Sequence, residues 1–394
     1  MNINFDDDIK TVKDYVVSLR RYFHMYPETA LNEYNTSAKI KEELSSLNIP
    51  FKEFGNTGVV GYIGKSDYEI ALRADLDALN VTEMNECEYK SKKEGYMHGC
   101  GHDGHTAALL GAAKILKKHE QELNITILLL FQPAEENCMG AKLAIESGLL
   151  ENVKAIFGIH IFSDIPYGTV SVTKGPRMAI TDRFEINIKG KGGHAAKPHQ
   201  CVDTAIVAAN MLLALQTIVS RNVDPVHNAV VTVGKMTAGT QYNVIAENAS
   251  LSGTVRTFYE EDAQLIKQRI ENIASSISQT YNAKATVNYG LALHPAVINP
   301  DNLTEHFVNY LNNQKLDFTL KDTPPLMLGE DFSSYQAILP GIFAFAGGGF
   351  NDKENYPNHH CKFDFDERVL IDAVTLHLNF VNMFNDASRR NIVI

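Results

Sequence analysis

Apolar residues recur at helical spacing from position 14 to 47, and the pattern breaks at residues 24–28, where Pro27 cannot continue a helix. Two opening helices are predicted there. Short apolar runs at residues 59–63, 69–73, 125–131 and 155–159 read as strands, with helical stretches at 106–119 and 140–146 between several of them. Apolar strands alternating with helices indicate an α/β sheet covered on both faces, which carries its functional groups beyond the carboxyl ends of the strands. Asp75, Asp77, Glu135, Glu136 and His160 fall at such ends.

After Pro176 the pattern becomes strand 183–189, helix 203–220, strand 229–235, strand 249–258, helix 261–281 and strand 283–289. This β-α-β-β-α-β order predicts a ferredoxin-like α+β unit inserted at residues 180–293. The turn-rich stretch 294–300 then returns the chain to a first domain made of residues 1–179 and 294–394. That domain resumes with a helix at 303–312, a turn at Gly329-Glu330-Asp331-Phe332, a strand through 342–345 and a closing helix at 367–384. The expected architecture is an α/β catalytic domain with a mixed, mostly parallel sheet, plus the inserted unit as a lid and dimerisation domain. A chain of 394 residues exceeds the usual size of one core, which agrees with two domains.

The composition is that of a folded globular chain, with 44% hydrophobic and 21% charged residues, so no long disordered part is expected. A net charge of −11 without any Lys or Arg cluster argues against nucleic acid or an anionic membrane as partner and favours a small molecule or peptide. The acidic start and the lack of an apolar run of about 18 residues predict a cytoplasmic protein. Five dispersed cysteines, an odd number, point to reduced thiols.

Candidate chemistry concentrates in His98-Gly99-Cys100-Gly101-His102-Asp103-Gly104-His105, which sets a thiol, three imidazoles and a carboxylate among glycines. Cys100 and His102 are two apart, so an extended loop would point both the same way, and thiolate with imidazole suits zinc or a similar ion. A single Cys or His is more often structural, but here Glu136, His160 and Asn358-His359-His360 end other segments of the same sheet edge. Ligands drawn from distant loops and mixed with carboxylates suit an open catalytic site. In an extended loop the adjacent Glu135 and Glu136 would diverge, one free to bind metal and the other to move protons.

These segments resemble the M20 family of metallopeptidases and amidohydrolases, in particular its aminoacylase, hippurate hydrolase and auxin-conjugate hydrolase branch. The motifs carrying the resemblance are residues 24–28, 72–79, 98–106, 132–136, 192–199 and 253–258, spread over nearly the whole chain. The resemblance implies that Cys100, His102, Glu136, His160 and His359 hold two divalent ions per subunit, whether zinc, manganese, cobalt or nickel. It makes Glu135 the general base and Asp77 the supporting acid, a role Asp75 could share. It makes His194 an oxyanion donor from the inserted domain, often supplied by a partner subunit. Asn243, Arg256 and the loop at Gly347 and Gly348 would grip a substrate carboxylate. Asn80, Ala246 and Cys361 stand where the family usually has proline.

The implied activity is metal-assisted hydrolysis of an N-acyl amino acid, with a di- or oligopeptidase as the nearest alternative. A noncatalytic metal or small-molecule binder, or a redox sensor built on Cys100, is the alternative of another class. The strongly apolar stretch 203–220 (Ile206, Val207, Met211, Leu212, Leu213, Leu215) predicts a homodimer through the lid, or a higher oligomer.

Overall fold

The computed structural model describes residues 3–290 and 294–390. The chain divides into two compact units, one of Met1–Arg177, Ile298–Pro324 and Asp331–Ile394 and a second of Met178–Val297 and Pro325–Glu330. The expected boundary at 293/294 abuts residues 291–293, which lie outside the described residues. Residues 325–330 join the second unit because Ala179 N–H donates to the Leu328 carbonyl at 2.7 Å and Met178 bridges Leu326.

Among the described residues the first unit holds an eight-stranded sheet, ordered Phe51–Phe54, Gly58–Ile63, Thr126–Gln132, Glu69–Asp75, Val153–Pro166, Gly341–Gly349, Thr169–Ser171 and Thr319–Leu320. The four strands from Thr126–Gln132 to Gly341–Gly349 are mutually parallel, while Phe51–Phe54 and Gly58–Ile63 run antiparallel at one edge. Every residue of Thr126–Gln132 is buried, as expected of a parallel strand covered on both faces. The pairing of Glu69–Asp75 with Val153–Pro166 ends at Arg73 and Gly158. His160 therefore lies inside a strand that runs on to Pro166, not at its end, and its next neighbour Ile161 has no partner on the Glu69–Asp75 side.

Three helices meet at one glycine. Gly111, in helix His102–Lys118, is so close to helix Lys13–Met25 that a Cβ there would lie 2.4 Å from a Val16 methyl, and 3.1 Å from a methyl of Val374 in helix Val369–Arg390. On the sheet, Phe157 stacks on Phe380 with ring centroids 4.8 Å apart and meets Phe307 edge-on at 5.3 Å.

The second unit is a four-stranded antiparallel sheet ordered Ala229–Ala238, Asn248–Thr257, Ile180–Lys189 and Lys284–Gly290. This is the strand order of a β-α-β-β-α-β unit. Ile180–Lys189 alternates buried and exposed positions, and Phe184, Ile186 and Ile188 form a core with Val207, Met211, Ile266 and Ile270 from helices Thr204–Leu215 and Glu260–Thr280. The stretch expected as one helix over 203–220 is two, Thr204–Leu215 and Thr217–Arg221, and the Asp203 carboxylate caps the first by accepting Ala205 N–H at 3.0 Å. No helix among the described residues is long and apolar enough to cross a membrane.

Gly111→Ala should lower stability by about 1–2 kcal/mol, because overpacking against the stiff Val16 side chain outweighs the gain in helix propensity. Urea unfolding checks this, and Val16→Ala in the same chain should restore most of the loss.

Candidate metal centre

The site is built where the parallel strands stop. Asp77 follows strand Glu69–Asp75, and its two carboxylate oxygens accept the backbone N–H groups of Glu135 and Glu136, each at 3.0 Å. Its carbonyl faces His102 Nδ1 at 2.9 Å. One residue thus ties three segments together. Glu135 and Glu136 lie in a turn, not the extended loop expected, since Ala134 has a positive φ of 57° and turns the chain back. The buried Glu33 carboxylate holds that turn by accepting Ala134 N–H at 2.9 Å, along with the Thr57 hydroxyl at 2.7 Å. As a result both acids approach His102, whose ring nitrogen lies within 4.8 Å of a carboxylate oxygen from each.

Cys100 and His102 also converge, though for another reason than the two-residue alternation of an extended loop. Gly101 between them is left-handed, with φ 91°, and helix His102–Lys118 begins at the histidine, four residues earlier than the apolar pattern indicates. Gly104 lets this helix start press on the chain, since a Cβ there would lie 2.7 Å from Phe365 and 2.9 Å from Ile161.

The expected ligands form two triads with donor atoms within 4.8 Å of one another: Cys100, His102 and His160, and Cys100, Glu136 and His359. Cys100 belongs to both. His160 Nε2 stands 3.4 Å from Cys100 Sγ, and His359 Nε2 stands 3.3 Å from Glu136 Oε1. His160 Nδ1 faces the Ile161 carbonyl at 3.0 Å, just as His102 Nδ1 faces that of Asp77, so each ring donates through Nδ1 and is oriented by a backbone carbonyl. His360, by contrast, stacks on Tyr356 and accepts Lys362 N–H at 3.1 Å.

The electrostatics of the cluster suit cations. His102 Nε2 is buried and has no hydrogen-bond partner among the described residues. Burial pulls the His102 imidazole down, but Asp75 and Asp77 together hold it well above its ordinary value. Hydrogen bonding to Cys100 and Glu136 lifts His359 up to about 10, while burial, with His105 nearby, keeps His160 well below the ordinary histidine range. A thiol and two glutamates thus gather around imidazoles, one of which has a buried Nε2 that no hydrogen bond uses among the described residues. Sulfur, nitrogen and carboxylate oxygen in this arrangement fit divalent metal ions.

A second layer of buried charge supports these candidate donors. Asp75 accepts from Arg73 at 2.6 Å and pairs with His105 Nδ1 at 2.6 Å, while His105 Nε2 accepts the otherwise unpaired Ile161 N–H at 2.9 Å. His102, Arg73 and His105 hold the Asp75 carboxyl well below its usual range against the opposing effect of burial. Arg73 also reaches Gln132 and Asp331, each at 3.0 Å. On the other side of His102, Asp103 binds Arg20 Nε at 2.9 Å and His24 Nδ1 at 2.7 Å, and the Arg20 guanidinium also reaches Asp364 at 2.9 Å. The sequence motifs included His24, Arg73, Asp103 and His105 without showing these partners, Asp331 was read only as part of a turn, and Arg20 and Glu33 were not singled out. The signal available was a charged residue on an otherwise apolar helix face, as at Arg20 beside Leu19 and Phe23.

The other expected residues are placed as follows. His194 and Asn243 meet on a small ribbon of the second unit: Gly193–His194 pairs with Val244–Ile245, and Ala195 N–H donates to the Asn243 carbonyl at 3.1 Å. His194 is exposed, and its Nδ1 accepts Ala196 N–H at 3.0 Å. Arg256 is half-buried on strand Asn248–Thr257 and donates to the Thr254 hydroxyl and the Val255 carbonyl, away from that ribbon in the register. Gly347 and Gly348 lie in strand Gly341–Gly349, not in a loop. A Cβ at Gly347 would lie 2.2 Å from the Pro166 carbonyl oxygen and one at Gly348 2.8 Å from Phe365, so close strand packing accounts for both glycines.

An α/β sheet carrying a buried cluster of thiol, imidazole and carboxylate donors, with a further glutamate beside it, defines a metal-dependent hydrolase. The chain belongs to peptidase family M20/M25/M40, whose model matches residues 71–383. It is 42% identical over 369 residues to an N-acetyl-L-cysteine deacetylase of Bacillus subtilis, covering 93% of this chain and 87% of that protein. It is 40% identical over 379 residues to the IAA-amino acid hydrolase ILR1-like 4 of Arabidopsis thaliana, covering 94% and 86%. Its fold matches that of the Bacillus subtilis YXEP protein, described as a dinuclear metal binding peptidase, with a TM-score of 0.84, 34% identity and coverage of 96% and 99%. The chain is accordingly an enzyme of the metal-dependent amidohydrolase class.

Two outcomes follow from this geometry. Asp77→Asn, which cannot accept both glutamate N–H groups, should weaken metal affinity by about 10–100-fold in a chelator competition although every ligand is intact. Arg20→Met, which strands Asp103 without its guanidinium, should cost about 3–5 kcal/mol in urea unfolding.

Proposed function

We propose that the enzyme hydrolyses the amide bond of N-acyl amino acids at a centre of two divalent ions held by Cys100, His102, Glu136, His160 and His359. The observation that carries this is the thiol of Cys100, shared by two ligand triads, with Glu135 beside them and not needed by either. The ions, whether zinc, manganese, cobalt or nickel, supply polarisation of the scissile carbonyl and acidification of water. Glu135 takes the proton of the attacking water and delivers it to the departing amine nitrogen, so that amide and water become a carboxylic acid and an amino acid. Its Oε2 lies 4.0 Å from His102 Nε2, next to the ligands but outside hydrogen-bond range of that ring. Asp77 holds the 135–136 turn so that base and ligand remain neighbours.

The resemblance to relatives named as an N-acetyl-L-cysteine deacetylase and an IAA-amino acid hydrolase supports an N-acyl amino acid substrate. Family resemblance at these motifs supports His194 as an oxyanion donor and Asn243, Arg256, Gly347 and Gly348 as substrate-binding residues. Helix Thr204–Leu215 keeps Ile206 50% and Leu213 70% exposed, which supports a homodimer formed through the second unit. All five cysteines are free, consistent with the reducing cytoplasm. The solved relative described as a peptidase favours di- and oligopeptides as the second substrate reading.

Replacing Glu135 with Gln should reduce kcat by at least about 10²–10⁴-fold while the metal content of the purified protein stays unchanged. Rates on N-acetyl amino acids, N-benzoyl amino acids and dipeptides, measured side by side, should rank the acyl amino acids first. Dipeptides ranking first would favour the peptidase reading.

A further inference from the structure

A cavity of about 300 Å³ lies in the first unit between the N-terminal segment, residues 314–318 and the closing helix, and shares no residue with the metal centre. Its inner wall includes Phe5, Phe318 and Leu378, all buried and apolar. Among them stands Asp372, only 4% exposed, with Oδ2 buried and without a hydrogen-bond partner among the described residues. Burial, with the carboxylates of Asp317 and Asp366 adding to it, pushes the Asp372 carboxyl up to about 7 despite the opposing charge of Arg368. A buried carboxylate facing apolar walls is costly unless it takes up a proton or a cation completes it. Lys10 does not, since its ammonium donates to Asp7 at 3.0 Å and is largely exposed.

The chemistry of the walls selects the cation. A hard metal ion needs about six oxygen ligands. Here Asp317 is exposed, and the Asn382 side chain is already engaged with both the N–H and the carbonyl of Ile3, at 3.2 and 2.8 Å. An ammonium group on an apolar body needs only the carboxylate and the surrounding hydrocarbon. Lys315, exposed and among the lining residues, can take a carboxylate at the cavity mouth. The volume lies at the lower end for small-molecule sites and matches a ligand of amino-acid size.

We propose that this cavity is a binding site for a small apolar primary amine whose ammonium pairs with Asp372, an apolar amino acid being its fullest match. The site is separate from the reaction centre and independent of which amide the enzyme cleaves.

Calorimetric titration of the full-length, metal-loaded enzyme with isoamylamine, L-leucine, 4-methylpentanoate and potassium chloride tests this. Isoamylamine and leucine should both bind, and 4-methylpentanoate, which lacks the ammonium, should not bind at this site. Asp372→Asn should weaken isoamylamine by more than about tenfold while leaving turnover unchanged. Thr375→Phe, which narrows the cavity and keeps the carboxylate, should also abolish isoamylamine binding. Unchanged isoamylamine affinity in Asp372→Asn, or heat from potassium alone that disappears in that variant, would overturn the proposal.

Discussion

The two carboxylate oxygens of Asp77 hold the backbone of two consecutive glutamates, and the rest of the site depends on this clamp. Both N–H groups of residues 135 and 136 end on one side chain, while the carbonyl of the same aspartate sets the tautomer of His102. With both glutamate amides fixed, one acid meets His359 and the other stays beside the ligands. The clamp therefore separates the two glutamate side chains more firmly than side-chain alternation would, as the proposed division into ligand and proton carrier requires. It also concentrates negative charge in a nearly dry place, which only cations can balance.

The fold meets that demand by placing arginines behind the candidate ligands. Arg73 lies under Asp75, and Arg20 lies under Asp103, each almost fully buried. Aromatic rings of Tyr89 and Phe365 flank the Arg20 guanidinium at 4.7 and 4.3 Å. These pairs hold the start of helix His102–Lys118 and the end of strand Glu69–Asp75 in fixed relation. His105 joins the strand that carries His160 to the same framework through Ile161. Of the five candidate ligands, His102 rests on a helix start, Cys100, Glu136 and His359 on bends and turns, and His160 inside a strand beyond its pairing with Glu69–Asp75.

Much of this was legible in the order of residues. The strands were, because buried parallel strands are nearly continuous apolar runs, and residues 125–131 differ from the observed Thr126–Gln132 by one position at each end. The ligand types were legible because a thiol, histidines and acids recur where those runs stop. The helix start at His102 was not, because its first turn is polar: His102, Asp103 and His105 are buried for their partners and not for their hydrophobicity. The turn at Ala134 was hidden because no glycine marks its positive φ, and a carboxylate one hundred residues earlier, Glu33, sustains it. Gly347 and Gly348 suggested a loop because a glycine required by close strand packing looks the same in sequence as one required by a turn.

The most direct test of the account is anomalous diffraction from crystals of the metal-loaded enzyme. Two metal peaks sharing the Cys100 sulfur are predicted, one completed by His102 and His160 and the other by Glu136 and His359. A single peak, or two peaks that both leave Cys100 unbound, would contradict it.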